Sequence, residues 1–139
     1  MKTATLKQTV EFEDVSPQQV YDAFLSSKGH SDMTGGSAKM SDKVGASFTA
    51  WDGYITGKNV ELVPGKKIVQ SWRTSEFPDD AEDSVLKIEL SATKTKNGKS
   101  GTQLKMTHSR IPAGQDESYG PGWKENYWEP MKAYFSENK

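Results

Sequence analysis

Residues 4–13, ATLKQTVEFE, alternate: Leu6, Gln8, Val10 and Phe12 share one face, and Lys7, Thr9, Glu11 and Glu13 the other. A period of two predicts a half-buried strand, with Gln8 as a polar member of its inward face. Val15-Ser16-Pro17-Gln18-Gln19-Val20 then carries a helix start. Ser16 is placed as N-cap, Pro17 fits the first helical position, Gln19 closes a capping box, and Val15 can staple to Val20. This helix is expected to present Val20, Ala23, Phe24 and Ser27 on one face and to stop at Gly29. Residues 29–45, rich in Gly, Ser and Lys, read as loop or short irregular strand.

Strand patterns dominate from residue 46. Ala46–Trp51, carrying Phe48, runs into Asp52-Gly53, a two-residue hairpin signal, and Tyr54–Val63 returns. Pro64-Gly65 turns the chain into Lys66–Ser75, where Ile68, Gln70 and Trp72 share a face. Residues 76–83 hold five acids around Pro78 and read as a solvated connector. Val85–Lys96 sets Leu86, Ile88, Leu90 and Ala92 in phase. Asn97-Gly98 turns it, and Thr102–Ile111 returns with Leu104, Met106 and His108 in phase, so the whole is an antiparallel meander. After Gly120-Pro121-Gly122 the period becomes helical: Trp123, Tyr127, Met131, Tyr134 and Phe135 form one stripe with Trp128 beside it. Pro130 lies inside this helix and is expected to kink it.

The fold class that follows is α+β: a curved antiparallel sheet of about six to seven strands gripping a long C-terminal helix, with a short helix after the first strand. The 139 residues are expected to form one domain, 1–139. Eighteen Lys and Arg against nineteen Asp and Glu give a net charge of −1, which offers no electrostatic grip on nucleic acid. Zero Cys excludes disulfides, thiol nucleophiles and iron–sulfur clusters in these residues. No apolar run approaches the length of a membrane span or a signal-peptide core, so no membrane insertion and a cytoplasmic location are expected. Four Trp, five Tyr and five Phe promise an aromatic interior.

No catalytic or nucleotide-binding signature is present, and no cofactor or metal is expected. The stretch Gly35-Gly36 lacks the following helix that phosphate binding needs. His30, just after Gly29, reads as an exposed residue of the helix-cap region. His108 faces the interior, either as a hydrogen-bonded wall residue or as a general base. Gln8, Gln70 and His108 are three polar groups on inward faces, and buried polar groups must be paired. They pair with one another and with water, or they orient a bound molecule. Aromatic side chains tile less densely than Leu and Val, so a cavity between sheet and helix is expected, lined by Phe24, Phe48, Gln70, Trp72, Leu90, Met106, His108, Trp123, Tyr127 and Met131.

Several segments carry a family resemblance: Thr34-Gly35-Gly36, Val44-Gly45-Ala46-Ser47-Phe48, Trp51-Asp52-Gly53-Tyr54-Ile55-Thr56-Gly57, and Leu62-Val63-Pro64-Gly65-Lys66-Lys67-Ile68-Val69-Gln70-Ser71-Trp72-Arg73. Thr107-His108-Ser109-Arg110-Ile111-Pro112 and Gly122-Trp123 complete the set. In this order they resemble the activators of the heat-shock-protein-90 ATPase, closest to the C-terminal domain of the eukaryotic activator, within the START-related (SRPBCC) helix-grip superfamily. The resemblance implies a curved sheet around the last helix with a cavity between. That superfamily supplies lipid carriers, hormone and flavonoid binders, and polyketide cyclases, so the fold alone does not assign an activity.

Three functions are thereby framed. The first is binding of a small hydrophobic or amphipathic molecule, as carrier or sensor, oriented by Gln70 and His108. The second is a co-chaperone module whose partner is a heat-shock-protein-90-type ATPase. The third is a cyclase-type enzyme using His108.

Overall fold

A computed structural model describes residues 2–137. The alternation at the start of the chain becomes β1, Thr3–Glu13, with Val10 and Phe12 buried and Lys7 and Thr9 exposed. Ser16 caps α1, Pro17–Leu25, as the sequence predicts. Its side chain accepts from the Gln19 amide at 3.1 Å, and the Ser16 amide donates to Gln19 Oε1 at 2.8 Å.

The chain departs from expectation after Leu25. The first helix stops there, four residues before Gly29, and a second helix, α2, spans Ser27–Thr34, its last six residues in the segment predicted as loop or short irregular strand. Ser26 serves both helices: its extended backbone ends α1, and its hydroxyl accepts from the Gly29 amide to start α2. Gly29 therefore marks close packing and not a stop. A Cβ at this position would lie 2.8 Å from the Ala23 carbonyl oxygen. The true stop is Gly35, whose φ of 85° is the left-handed conformation that glycine adopts at low cost.

Five further strands follow: β2 (Ser47–Ala50), β3 (Ile55–Val63), β4 (Lys67–Thr74), β5 (Ser84–Lys94) and β6 (Ser100–Pro112). All pair antiparallel in one six-stranded sheet of order β1-β6-β5-β4-β3-β2. The predicted inward residues Ile68, Gln70, Trp72, Leu86, Ile88, Leu90, Leu104, Met106 and His108 are all buried, whereas Ala92, predicted in phase with them, is exposed near the end of β5. Asp52-Gly53 does not make the two-residue hairpin: Trp51–Gly53 forms a 3-10 turn in which both Trp51 and Asp52 have positive φ.

The C-terminal helix begins earlier than its aromatic stripe. α3 spans Asp116–Trp123, running through Gly120-Pro121-Gly122, which reads as a break in the sequence. A π-helical turn, Lys124–Trp128, leads into α4, Glu129–Glu137, so the irregularity sits just before Pro130. Gln8 explains why the helix tolerates it. The Lys124 amide donates to the Pro121 carbonyl, and the Gly120 carbonyl, its usual partner, accepts from Gln8 Nε2 at 2.9 Å. Gln8 Oε1 accepts the Trp128 indole N–H at 2.6 Å. The polar flaw in the first strand is thus a two-ended tether to the helix. Further along, Phe12 meets Phe135 edge to face at 5.5 Å. The result is the expected helix grip, six strands on one layer with the helices across the buried face.

Candidate functional site

The central strands and the π-helical turn bring an aromatic cluster to one end of the grip. Trp72 of β4 lies 5.8 Å from Trp123 with the rings tilted by 35°, Trp123 lies 4.7 Å from Tyr127, and Tyr119 of α3 meets Trp72 edge to face at 5.3 Å. Trp51 closes the cluster from the 3-10 turn, perpendicular to Tyr127 at 6.5 Å. Its indole lies against Gly36, where a Cβ would come within 2.4 Å of Cε3. Only a residue without a side chain lets the Trp51 ring lie there.

Two buried histidines anchor these rings. His108 Nδ1 accepts the Trp123 indole N–H at 3.2 Å, and Nε2 lies 2.8 Å from Ser84 Oγ. Ser84 gives its one proton to the Trp72 carbonyl at 2.6 Å, so it must accept from His108 Nε2–H. The imidazole is therefore neutral with a fixed tautomer, and burial lowers its pKa to about 3. Both ring nitrogens are committed to protein partners, which leaves neither a proton nor a lone pair for a substrate. His108 thus anchors the Trp123 ring from the packed interior.

His30 is the larger surprise. Predicted as an exposed residue of the helix-cap region, it is 1% exposed. Its presence on α2, a helix that the Gly- and Ser-rich composition disguises, turns it inward. Nδ1–H donates to the Phe24 carbonyl at 2.9 Å, and Nε2 accepts from the Tyr127 hydroxyl at 2.8 Å. Burial holds the His30 pKa down and pushes the Tyr127 phenol up, so both stay neutral.

Between β3, β4 and the start of the C-terminal helix lies a cleft of about 490 Å³. Six aromatic residues, Trp51, Tyr54, Trp72, Tyr119, Trp123 and Tyr127, line it together with Ile55, Glu76, Ser118, Gly122 and Asn126. Its volume is within the range of small-molecule sites. A larger groove of about 720 Å³ between β1 and α4 is lined by the Phe12 and Phe135 pair and by Glu11, Glu13, Lys96, Glu129 and Lys132 among others, a mixed-charge surface with two aromatic residues where the cleft has six.

Of the residues predicted to line a cavity, Trp72, Trp123 and Tyr127 reach the cleft. Phe24, Phe48, Gln70, Leu90, Met106, His108 and Met131 lie in the packed interior, and all are buried. Gln70 donates to Asn59 Oδ1 at 2.9 Å, and its Oε1 is the buried side-chain polar atom without a partner among the described residues. Sequence reasoning missed Trp51, Tyr54, Glu76, Tyr119 and Asn126. Tyr119 was hidden by the Gly-Pro-Gly signal, and Trp51 by the misread hairpin. Glu76 was counted with a solvated run that begins one residue past the strand.

Among the described residues no group of His, Asp and Glu is arranged to hold a metal ion, and no helix is long and apolar enough to cross a membrane.

Comparison with known proteins gives consistent matches. The family described as "Activator of Hsp90 ATPase homolog 1-like protein" matches residues 14–136. The chain is 32% identical over 134 residues to an activator of 90 kDa heat shock protein ATPase homolog of Dictyostelium discoideum, covering 96% of this chain and 33% of that protein. It is 33% identical over 131 residues to the activator of 90 kDa heat shock protein ATPase homolog 1 of Homo sapiens, covering 94% and 36%. The chain thus spans about a third of the length of these relatives. A solved HSP90 activator from Plasmodium falciparum is similar with a TM-score of 0.82 at 26% identity, over 95% of this chain and 96% of that one.

Proposed function

Since this chain belongs to the family of activator of Hsp90 ATPase homolog 1-like proteins, we propose that it uses the open end of its helix grip to bind a small hydrophobic or amphipathic molecule. The observation that carries this reading is the 490 Å³ cleft with six aromatic residues in its lining. Apolar burial supplies the affinity, at about 25 cal/mol per Å² removed from water. Trp72, Trp123 and Tyr127 are the walls, Trp51 is the outer wall, and Glu76, Ser118 and Asn126 orient the polar end. Gln70 and His108 act from behind, His108 by holding Trp123. The binding unit is the whole domain, 1–139, working in the cytoplasm.

The test is an amide and indole NMR titration with pooled lipids, flavonoids and aromatic polyketide-like compounds. Shifts should cluster on Trp51, Trp72, Trp123 and Tyr127. Gly122 lines the cleft, and a Cβ there meets only Asn126 Nδ2, at 3.8 Å. Gly122→Phe should therefore fill the cleft, keep the fold and abolish the shifts. Retained shifts in that variant would move the site elsewhere.

A second reading is favoured by the names of the relatives, which are activators of the heat-shock-protein-90 ATPase. In it the domain docks on a chaperone of that type, and the cleft is incidental. Calorimetry against the cognate chaperone at low and high salt tests it, and absence of heat under both conditions would remove it.

A further inference from the structure

Among the residues lining the aromatic cleft there is one formal charge, and it is negative. Glu76 alone is ionisable as a carboxylate there, and no Lys or Arg joins it although the chain has eighteen of them. We infer that the cleft selects an organic cation: an ammonium group set against Glu76, carrying an apolar body that lies against Trp51, Trp72 and Trp123. This inference rests on the cleft-binding reading above and names the class of its ligand.

Glu76 is held in place before any ligand arrives. A closed ring of hydrogen bonds fixes its backbone. The Glu76 amide donates to Thr74 Oγ1 at 3.2 Å, and the Gln115 side-chain amide donates to the Glu76 carbonyl at 3.0 Å. Tyr119 donates to Gln115 Oε1 at 2.8 Å, and so accepts from Thr74 Oγ1, 2.7 Å away. The Tyr54 hydroxyl, another lining group, donates to Glu76 Oε2. A carboxylate anchored through its own backbone and a neighbouring phenol loses little freedom when a cation meets it.

The nearest candidate for neutralising Glu76 along the chain is turned elsewhere. The Arg73 guanidinium pairs with Asp83 at 2.7 Å, donates to the carbonyls of Ala81 and Pro78, and lies over the Phe77 ring at 5.4 Å. The indole and phenol faces carry negative potential, which attracts ammonium groups and repels carboxylates. An anionic ligand such as a fatty-acid carboxylate meets Glu76 and finds no cation in the lining.

The experiment compares three probes of one shape class by indole and amide NMR: benzyltrimethylammonium, its neutral isostere neopentylbenzene, and phenylacetate. Benzyltrimethylammonium should shift the Trp51, Trp72 and Trp123 indole signals and bind about five- to tenfold more tightly than the isostere. Glu76→Gln, at an exposed position, should erase that preference by lowering the affinity for the cation; Tyr54→Phe keeps the carboxylate and should retain most of the preference. If the isostere or phenylacetate binds in the cleft as tightly as the cation, the charge selectivity is overturned and the cleft-binding reading stands. If the cation shifts only the acidic segment and leaves the indoles silent, the inference is likewise overturned. If no probe moves the indoles, both readings fall.

Discussion

The indole N–H of Trp123 donates to His108 Nδ1 at 3.2 Å, joining the C-terminal helix to the innermost face of β6. That bond fixes two things at once. It fixes the Trp123 ring as a wall of the cleft, and it fixes the imidazole as a neutral acceptor at that nitrogen. A side chain placed to do chemistry by its sequence position is thereby placed to do architecture.

Acidification should loosen the domain well before the carboxylates titrate. Burial lowers the His108 pKa to about 3 and lowers that of His30 as well. The unfolded chain takes up these protons near pH 6.5, so between about 6.5 and 3 the unfolded state binds more protons than the folded one. The stability is fully present above about pH 6.5 and falls as the pH drops, by up to about 1.4 kcal/mol per pH unit for His108 alone. Urea unfolding at about pH 7.5 and about pH 5 measures this, and equal midpoints would contradict the neutral buried imidazoles.

Ser84→Ala removes one oxygen from a fully buried site and strands two partners, the His108 Nε2–H and the Trp72 carbonyl. A loss of about 1–3 kcal/mol is expected from the unsatisfied groups, with almost no change in packing volume. Chemical denaturation reads the loss. A neutral result would mean that another acceptor serves His108.

Gly36→Ala drives a methyl to 2.4 Å from the Trp51 ring. The indole has to swing away from Tyr127, at a cost of about 1–3 kcal/mol. The Trp51 indole resonance should move, and any ligand of the cleft should bind more weakly. An unmoved resonance would show that the turn at Trp51–Gly53 absorbs the methyl instead.

Gln8→Leu keeps the bulk of the tether and deletes both its bonds, to the Gly120 carbonyl and from the Trp128 indole. The expected cost is about 1–3 kcal/mol for each stranded group. Hydrogen exchange should quicken in residues 120–129, where the π-helical turn depends on that support. Uniform exchange change across all strands would point to global destabilisation alone.

The sequence by itself determined the sheet and its inward face. Alternation along residues 4–13, 67–74, 84–90 and 102–108 assigned the buried positions, because a strand's two-residue period maps directly onto burial on one face. It also determined the start of α1, since Ser16, Pro17 and Gln19 satisfy the orphan amides locally. The family resemblance was legible in the same way, and the match over residues 14–136 bears it out. Only the tertiary structure decided α2, the continuation of α3 through Gly120-Pro121-Gly122, and the cleft. α2 has little apolar signal of its own and forms because His30 and Met33 pack inward, a contact made with residues far along the chain. The helix carries its irregular turn because Gln8, 112 positions away, satisfies the Gly120 carbonyl that the Lys124 amide leaves free. The cleft needs Trp51, Glu76 and Tyr119 to converge from three segments, and no local periodicity records the distance between them. Local rules report what a residue does for its own element; which side chains meet across elements is set by packing of the whole chain.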